Sequence, residues 1–109
     1  MEFTGKNKRN FEDWYISQRY QLHLVNFYGL EDSMQFGVVQ SYADSIGYII
    51  QVVPYDWEIS DNIRLDGTYS FSVHKGKKWI RDGVDFETRD EARLAAIKAF
   101  DEIVNSTLN

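Results

Sequence analysis

Apolar positions along the chain change period twice, from a helical repeat to strand-like runs and back again. Between Asn10 and Phe27 they recur three and four apart, which predicts a helix. Asn10 is a candidate N-cap, with Glu12 and Asp13 in the first turn, where the helix dipole favours carboxylates. Phe11, Trp14, Tyr15, Leu22 and Val25 form one stripe; Ile16, Tyr20, Leu24 and Phe27 form a second beside it. Two stripes are wider than one buried face needs. Either the helix is wedged deep in the domain or one stripe meets another chain. A partner surface of that kind would include Trp14, Tyr15 and Tyr20, since large aromatics dominate interfaces.

Gly29 breaks this pattern, and a second helix is expected from Asp32 or Ser33, either of which can cap it. Met34, Val38, Val39, Tyr42, Ala43 and Ile46 keep helical spacing, and Gly47 stands where a left-handed C-cap residue is expected. The run Tyr48 to Val53 predicts a strand buried on both faces, ended by Pro54. After a polar loop, residues 67–74 alternate: Tyr69, Phe71 and Val73 point inward, Ser70, Ser72 and His74 outward. Lys75-Gly76-Lys77-Lys78 forms a turn, and a third strand starts at Trp79, meets a turn or bulge at Asp82-Gly83 and resumes over Val84 to Phe86. Thr88 followed three residues later by Glu91 is a capping box. The helix it opens runs to about Ser106, with Ala92, Ala95, Ala96, Ala99, Phe100 and Ile103 turned inward. The predicted fold is α+β: helix-helix-β-β-β-helix, a three-stranded antiparallel sheet with helices packed on one face.

At 109 residues the chain fits one domain, read as residues 10–109 behind a disordered N-terminus of residues 1–9 that carries Lys6, Lys8 and Arg9. With no cysteine it has no disulfide frame, thiolate nucleophile or Cys-based zinc site. No apolar run approaches the roughly 18 residues of a membrane span, and the start lacks the apolar core of a signal peptide. These features lead us to expect a cytoplasmic protein without a membrane partner. The net charge of −5 lowers the prospect of nucleic-acid binding, which draws on cations meeting phosphates.

Candidate chemistry is sparse. Asp56, Glu58, Asp61 and Asp66 crowd the polar loop, but their spacing does not fit a calcium loop. His23 and His74 lack metal-pair spacing, and no phosphate-binding, dinucleotide or nucleophile-elbow motif is present. We therefore expect no enzyme activity, no cofactor and no bound metal. One cationic group stands out. Lys75, Lys77 and Lys78, with Arg89 and Arg93 at the last helix start, form a candidate nucleic-acid surface.

Over residues 33–106 the element order resembles a double-stranded-RNA-binding domain. Gln40 to Gly47 is similar to the end of that family's first helix, and Glu91 to Ala96 to the Ala-rich start of its last. That family grips phosphates with a lysine-rich cap; here the cap is Thr88-Arg89-Asp90-Glu91, leaving Arg89 and Arg93. A second resemblance covers more of the chain. Phe11-Glu12-Asp13-Trp14-Tyr15, residues 33–38, residues 42–47 and residues 86–93 look like small orphan proteins of phages and mobile elements in gut bacteria. That resemblance implies a non-catalytic protein-binding module, such as an inhibitor of a host defence protein. Its partner would be a foreign protein or a second copy of the chain. The alternative is the nucleic-acid-binding module.

Overall fold

A computed structural model describes residues 2–18, 27–54 and 68–108. Its elements are α1 (Gly5–Ser17), α2 (Asp32–Ser45), β1 (Tyr48–Pro54), β2 (Tyr69–Lys75), β3 (Lys78–Phe86) and α3 (Arg89–Leu108). The class is α+β in the predicted order, with an antiparallel sheet β1-β2-β3. Among the described residues, no helix is long and apolar enough to cross a membrane.

Alternation builds the sheet. Ile50 pairs with Val73 and Val52 with Phe71, so one face carries the apolar residues of both strands. Helix α3 lies across all three strands, and α2 packs on β1 and α3. Ala92, Ala96 and Ala99 are buried beneath it, and their small size brings the helix axis close to the sheet. Ile97, Phe100, Ile103 and Val104 then fill the layer between. The capping box forms as predicted: the Glu91 amide donates to Thr88 Oγ1 at 3.1 Å, and the Thr88 amide donates to Glu91 Oε1 at 3.2 Å. Gly47 takes the left-handed conformation expected after α2, with φ +91°.

Three expectations are corrected. First, β1 is buried on one face only. Ile49, Gln51 and Val53 are exposed, because among the described residues no helix covers the second face of the sheet. Second, α2 starts at Asp32 with Glu31 as its N-cap, and no side chain caps it. Third, residues 2–9 are not a loose tail. The first helix begins at Gly5 rather than Asn10, which sits exposed within it, and it ends at Ser17. Phe3 is buried with its ring edge-on to Phe11 at 5.0 Å and Phe100 at 5.8 Å. Phe3, Asn7, Phe11 and Tyr15, four apart, form the buried stripe of this segment.

A polar clamp fixes that stripe. The Asp101 carboxylate accepts from the Thr4 amide, the Thr4 hydroxyl at 2.7 Å, Asn7 Nδ2 at 2.9 Å and Asn105 Nδ2 at 3.2 Å. The Tyr42 hydroxyl donates to Asn7 Oδ1 at 2.7 Å, and the Asn7 amide donates to Asn105 Oδ1 at 2.9 Å. Asn7 and Asp101 are buried, and this network satisfies the polar groups that burial would otherwise strand.

Candidate interaction surface

Among the described residues, the sheet face opposite the helices is left uncovered. Register places Ile49, Gln51 and Val53 on it from β1, Ser70, Ser72 and His74 from β2, and Trp79 and Asp82 from β3. Val84 is exposed and follows Gly83, which faces the buried Phe71 ring, so alternation turns it to the same open side. Its middle strand is polar and its outer strands carry the apolar side chains. Ile49 is 42 % exposed, Val53 47 %, Trp79 57 % and Val84 47 %. Single exposed apolar residues are ordinary; here four share one face, on the two outer strands either side of a polar middle strand. Trp79 stands against His74 with ring centroids 4.7 Å apart, and His74 Nε2 lies 3.1 Å from Ser72 Oγ. The sequence reading placed Ser70, Ser72 and His74 outward correctly. The open face itself is not legible in the sequence, because the β1 run reads as covered on both sides and nothing local assigns Trp79 a face.

Two irregularities shape β3. Register shifts fall between Tyr69 and Phe71 and between Val73 and His74 of its partner strand. Asp85, at the first, has φ +69°, a left-handed conformation that Asp tolerates better than most residues. Gly83 allows the Phe71 ring to lie on the backbone: a Cβ there would stand 2.5 Å from Phe71 Cε2.

Of the expected aromatic partner surface Trp14, Tyr15 and Tyr20, the described residues leave only Trp14 partly open. Tyr15 is buried in the core, and burial raises its phenol pKa. Trp14 is half-buried, its ring 5.4 Å from that of Tyr42. Tyr20 lies outside the described residues. Trp14 instead lines a groove of about 400 Å³ with Tyr42, Ile46, Val104 and Leu108.

The five candidate phosphate-binding cations are divided. Lys75 pairs with Lys78 across the turn, whereas Tyr69 pairs with Phe86 at the far end of the same hairpin, next to the start of α3. Six residues of strand separate the two ends, roughly 20 Å. Lys75 lies over the Tyr48 ring, and Lys77 and Lys78 are exposed. At the other end, Arg89 lies over the Tyr69 ring, and Arg93 pairs with Asp90 at 3.1 Å and approaches the Phe36 ring. One continuous basic track through all five is therefore not present. The antiparallel hairpin forces the split: a helix entered from β3 starts at the end opposite the β2–β3 turn.

Among the described residues, no three His, Asp or Glu side chains gather as a metal site. His23 and the carboxylates Asp56, Glu58, Asp61 and Asp66 lie outside the described residues. Compared with known proteins, the chain matches no family model, and no curated protein and no solved structure matches it.

Proposed function

We propose that this chain is a non-catalytic protein-binding module that engages its partner with the open face of its sheet. The observation that carries this reading is the exposed set Ile49, Val53, Trp79 and Val84 on a face that no helix covers among the described residues. An apolar-edged sheet with a central polar row suits a protein surface, which supplies both apolar side chains and hydrogen-bond partners. Trp79 is the expected anchor, since a large exposed aromatic contributes most when a partner desolvates it. Action as an inhibitor of a host defence protein is the narrower form of this proposal, and it rests on the resemblance to phage and mobile-element proteins. The nucleic-acid reading is weaker, because Arg89 and Arg93 are engaged within the chain and stand a hairpin's length from the lysines.

The test is capture from a bacterial host lysate with tagged wild-type chain and with Trp79→Ser, each with and without nuclease. A protein partner retained by the wild type, lost by Trp79→Ser and insensitive to nuclease is the expected result. Equal capture by both proteins would remove the sheet face from the proposal. Loss of all capture on nuclease treatment would favour the nucleic-acid module.

A further inference from the structure

Each outer strand of the sheet has one edge that no strand pairs among the described residues, and the two edges differ. The β3 edge carries the devices that keep strands from pairing: the charged Lys78, Arg81, Asp82 and Asp85, two register shifts, and the left-handed backbone at Asp85. The β1 edge has none of them. Its run Tyr-Ile-Ile-Gln-Val-Val is uncharged, and its register with β2 holds from Tyr48 to Pro54 without a shift.

Two contacts fix which β1 residues face outward. The Gly76 amide donates to the Gly47 carbonyl at 3.3 Å, in register with the ladder, and in an antiparallel pair alternate residues bond to the neighbouring strand. Ile49, Gln51 and Val53 therefore bond to β2, while Tyr48, Ile50 and Val52 direct their N–H and C=O groups to the free edge. The second contact agrees: Gln40 Nε2 of α2 donates at 2.9 Å to the Ile50 carbonyl, which the ladder leaves outward. That carbonyl keeps a second lone pair. Pro54, next in the outward series, has no N–H, so the row of donors stops there. Gly37, about one turn before Gln40, is exposed, and a Cβ on it would meet nothing within 4 Å, so space remains beside the edge.

We propose that the β1 edge takes an extended, uncharged segment of the protein partner as an added strand. The proposal rests on the protein-binding reading and names the part of the partner that is recognised. Donors and acceptors that repeat every second residue are complementary to another extended main chain, and this decides the occupant. β1 offers no charge to pair with one on the added strand, so apolar and β-branched residues are favoured beside Ile49 and Val53. The added strand widens the open face next to those two residues, and a partner lying on that face reaches the edge directly. About five residues of β1 take part, the scale of a weak, transient contact whose affinity comes from main-chain hydrogen bonds.

Amide hydrogen exchange, read by NMR on the full chain, tests the edge. In the free chain Tyr48, Ile50 and Val52 are expected to exchange roughly tenfold or more faster than Ile49, Gln51 and Val53. The blocked peptide Ac-Val-Thr-Val-Thr-Val-NH2 at about 1 mM is expected to slow the first three roughly twofold or more, as a ligand with a Kd near 1 mM or tighter does, and to leave the other three unchanged. Val52→Pro removes one outward N–H and no ladder bond, and is expected to abolish the slowing at Tyr48 and Ile50. The same peptide N-methylated throughout donates no hydrogen bond and is expected to have no effect; it serves alone should Val52→Pro not fold. Outward amides already protected in the free chain overturn the proposal. So do outward amides unmoved by the peptide, or slowed equally by its N-methylated form or in Val52→Pro. Protection that rises with chain concentration before any peptide is added assigns the edge to a second copy and overturns the partner's strand as occupant. Trp79-dependent capture from lysate is independent of each of these failures, and it alone decides the protein-binding reading.

Discussion

Asp101 joins the two ends of the chain, accepting hydrogen bonds from Thr4, Asn7 and Asn105 in a buried site. Asp101→Ala leaves those donors without an acceptor, and donors bound to a charged group are costly to strand. The expected loss is about 2–4 kcal/mol in urea unfolding. Tyr42 is coupled to the same site. Burial, and then the Asp101 charge, push its phenol from 10.0 up to about 12. A proton held more tightly when folded adds stability that is complete below the unfolded value and lost as pH rises through the folded one. Between pH 10 and 12 the wild type should therefore lose stability faster than Tyr42→Phe, read from urea midpoints across that range. Burial first, then Glu12 by charge and a hydrogen bond, also raises Tyr28 to about 12, and this background is common to both proteins. None of this clamp was legible in the sequence. Asn7 and Asp101 have the residue types of a solvated surface, and only tertiary contact reveals that they pair.

Elements were legible where a local rule decided them. Thr88 and Glu91 announce the start of α3 by their spacing alone, and the geometry follows. Thr88→Ala removes that cap and should cost about 1 kcal/mol, seen as a lowered urea midpoint. The β2 alternation likewise fixed both faces of the central strand. Boundaries that depend on distant partners were not legible. The first helix begins at Gly5 because Phe3 and Asn7 find the core and Asp101, whereas Gly5, Lys6, Lys8 and Arg9 read locally as a charged tail. The β1 run reads as doubly buried because Ile49 and Val53 are as apolar as the inward residues, and nothing in a strand states how many layers cover it. Gly83 belongs to the same class. Its role comes from the Phe71 ring above it, which is itself buried and packed on Phe86. Gly83→Ala forces that ring aside and should destabilise by about 1–3 kcal/mol on thermal or urea unfolding.

At the scale of the whole molecule, stability and recognition are placed on opposite sides of the sheet. The helical layer holds the aromatic core and the clamp between the chain ends. The uncovered face holds Trp79 and its apolar neighbours, which contribute little to folding because solvent already reaches them. This division predicts two variants with reversed effects. Phe3→Ala removes a ring packed on Phe11, Tyr42 and Phe100, and should cost about 3 kcal/mol, a fall in melting temperature of roughly 10–20 °C. Because Phe3 lies on the helical side, partner capture measured well below the melting point should not change. Trp79→Ala should alter stability by only about 0.5 kcal/mol or less, as exposed positions do, while reducing partner capture at least tenfold. Melting curves and capture assays on the same preparations separate the two. A Phe3→Ala protein as stable as the wild type would return the N-terminal segment to a dispensable tail. A Trp79→Ala protein that melts as low as Phe3→Ala would show that the open face is held by intramolecular packing, which would remove it as a surface for any partner.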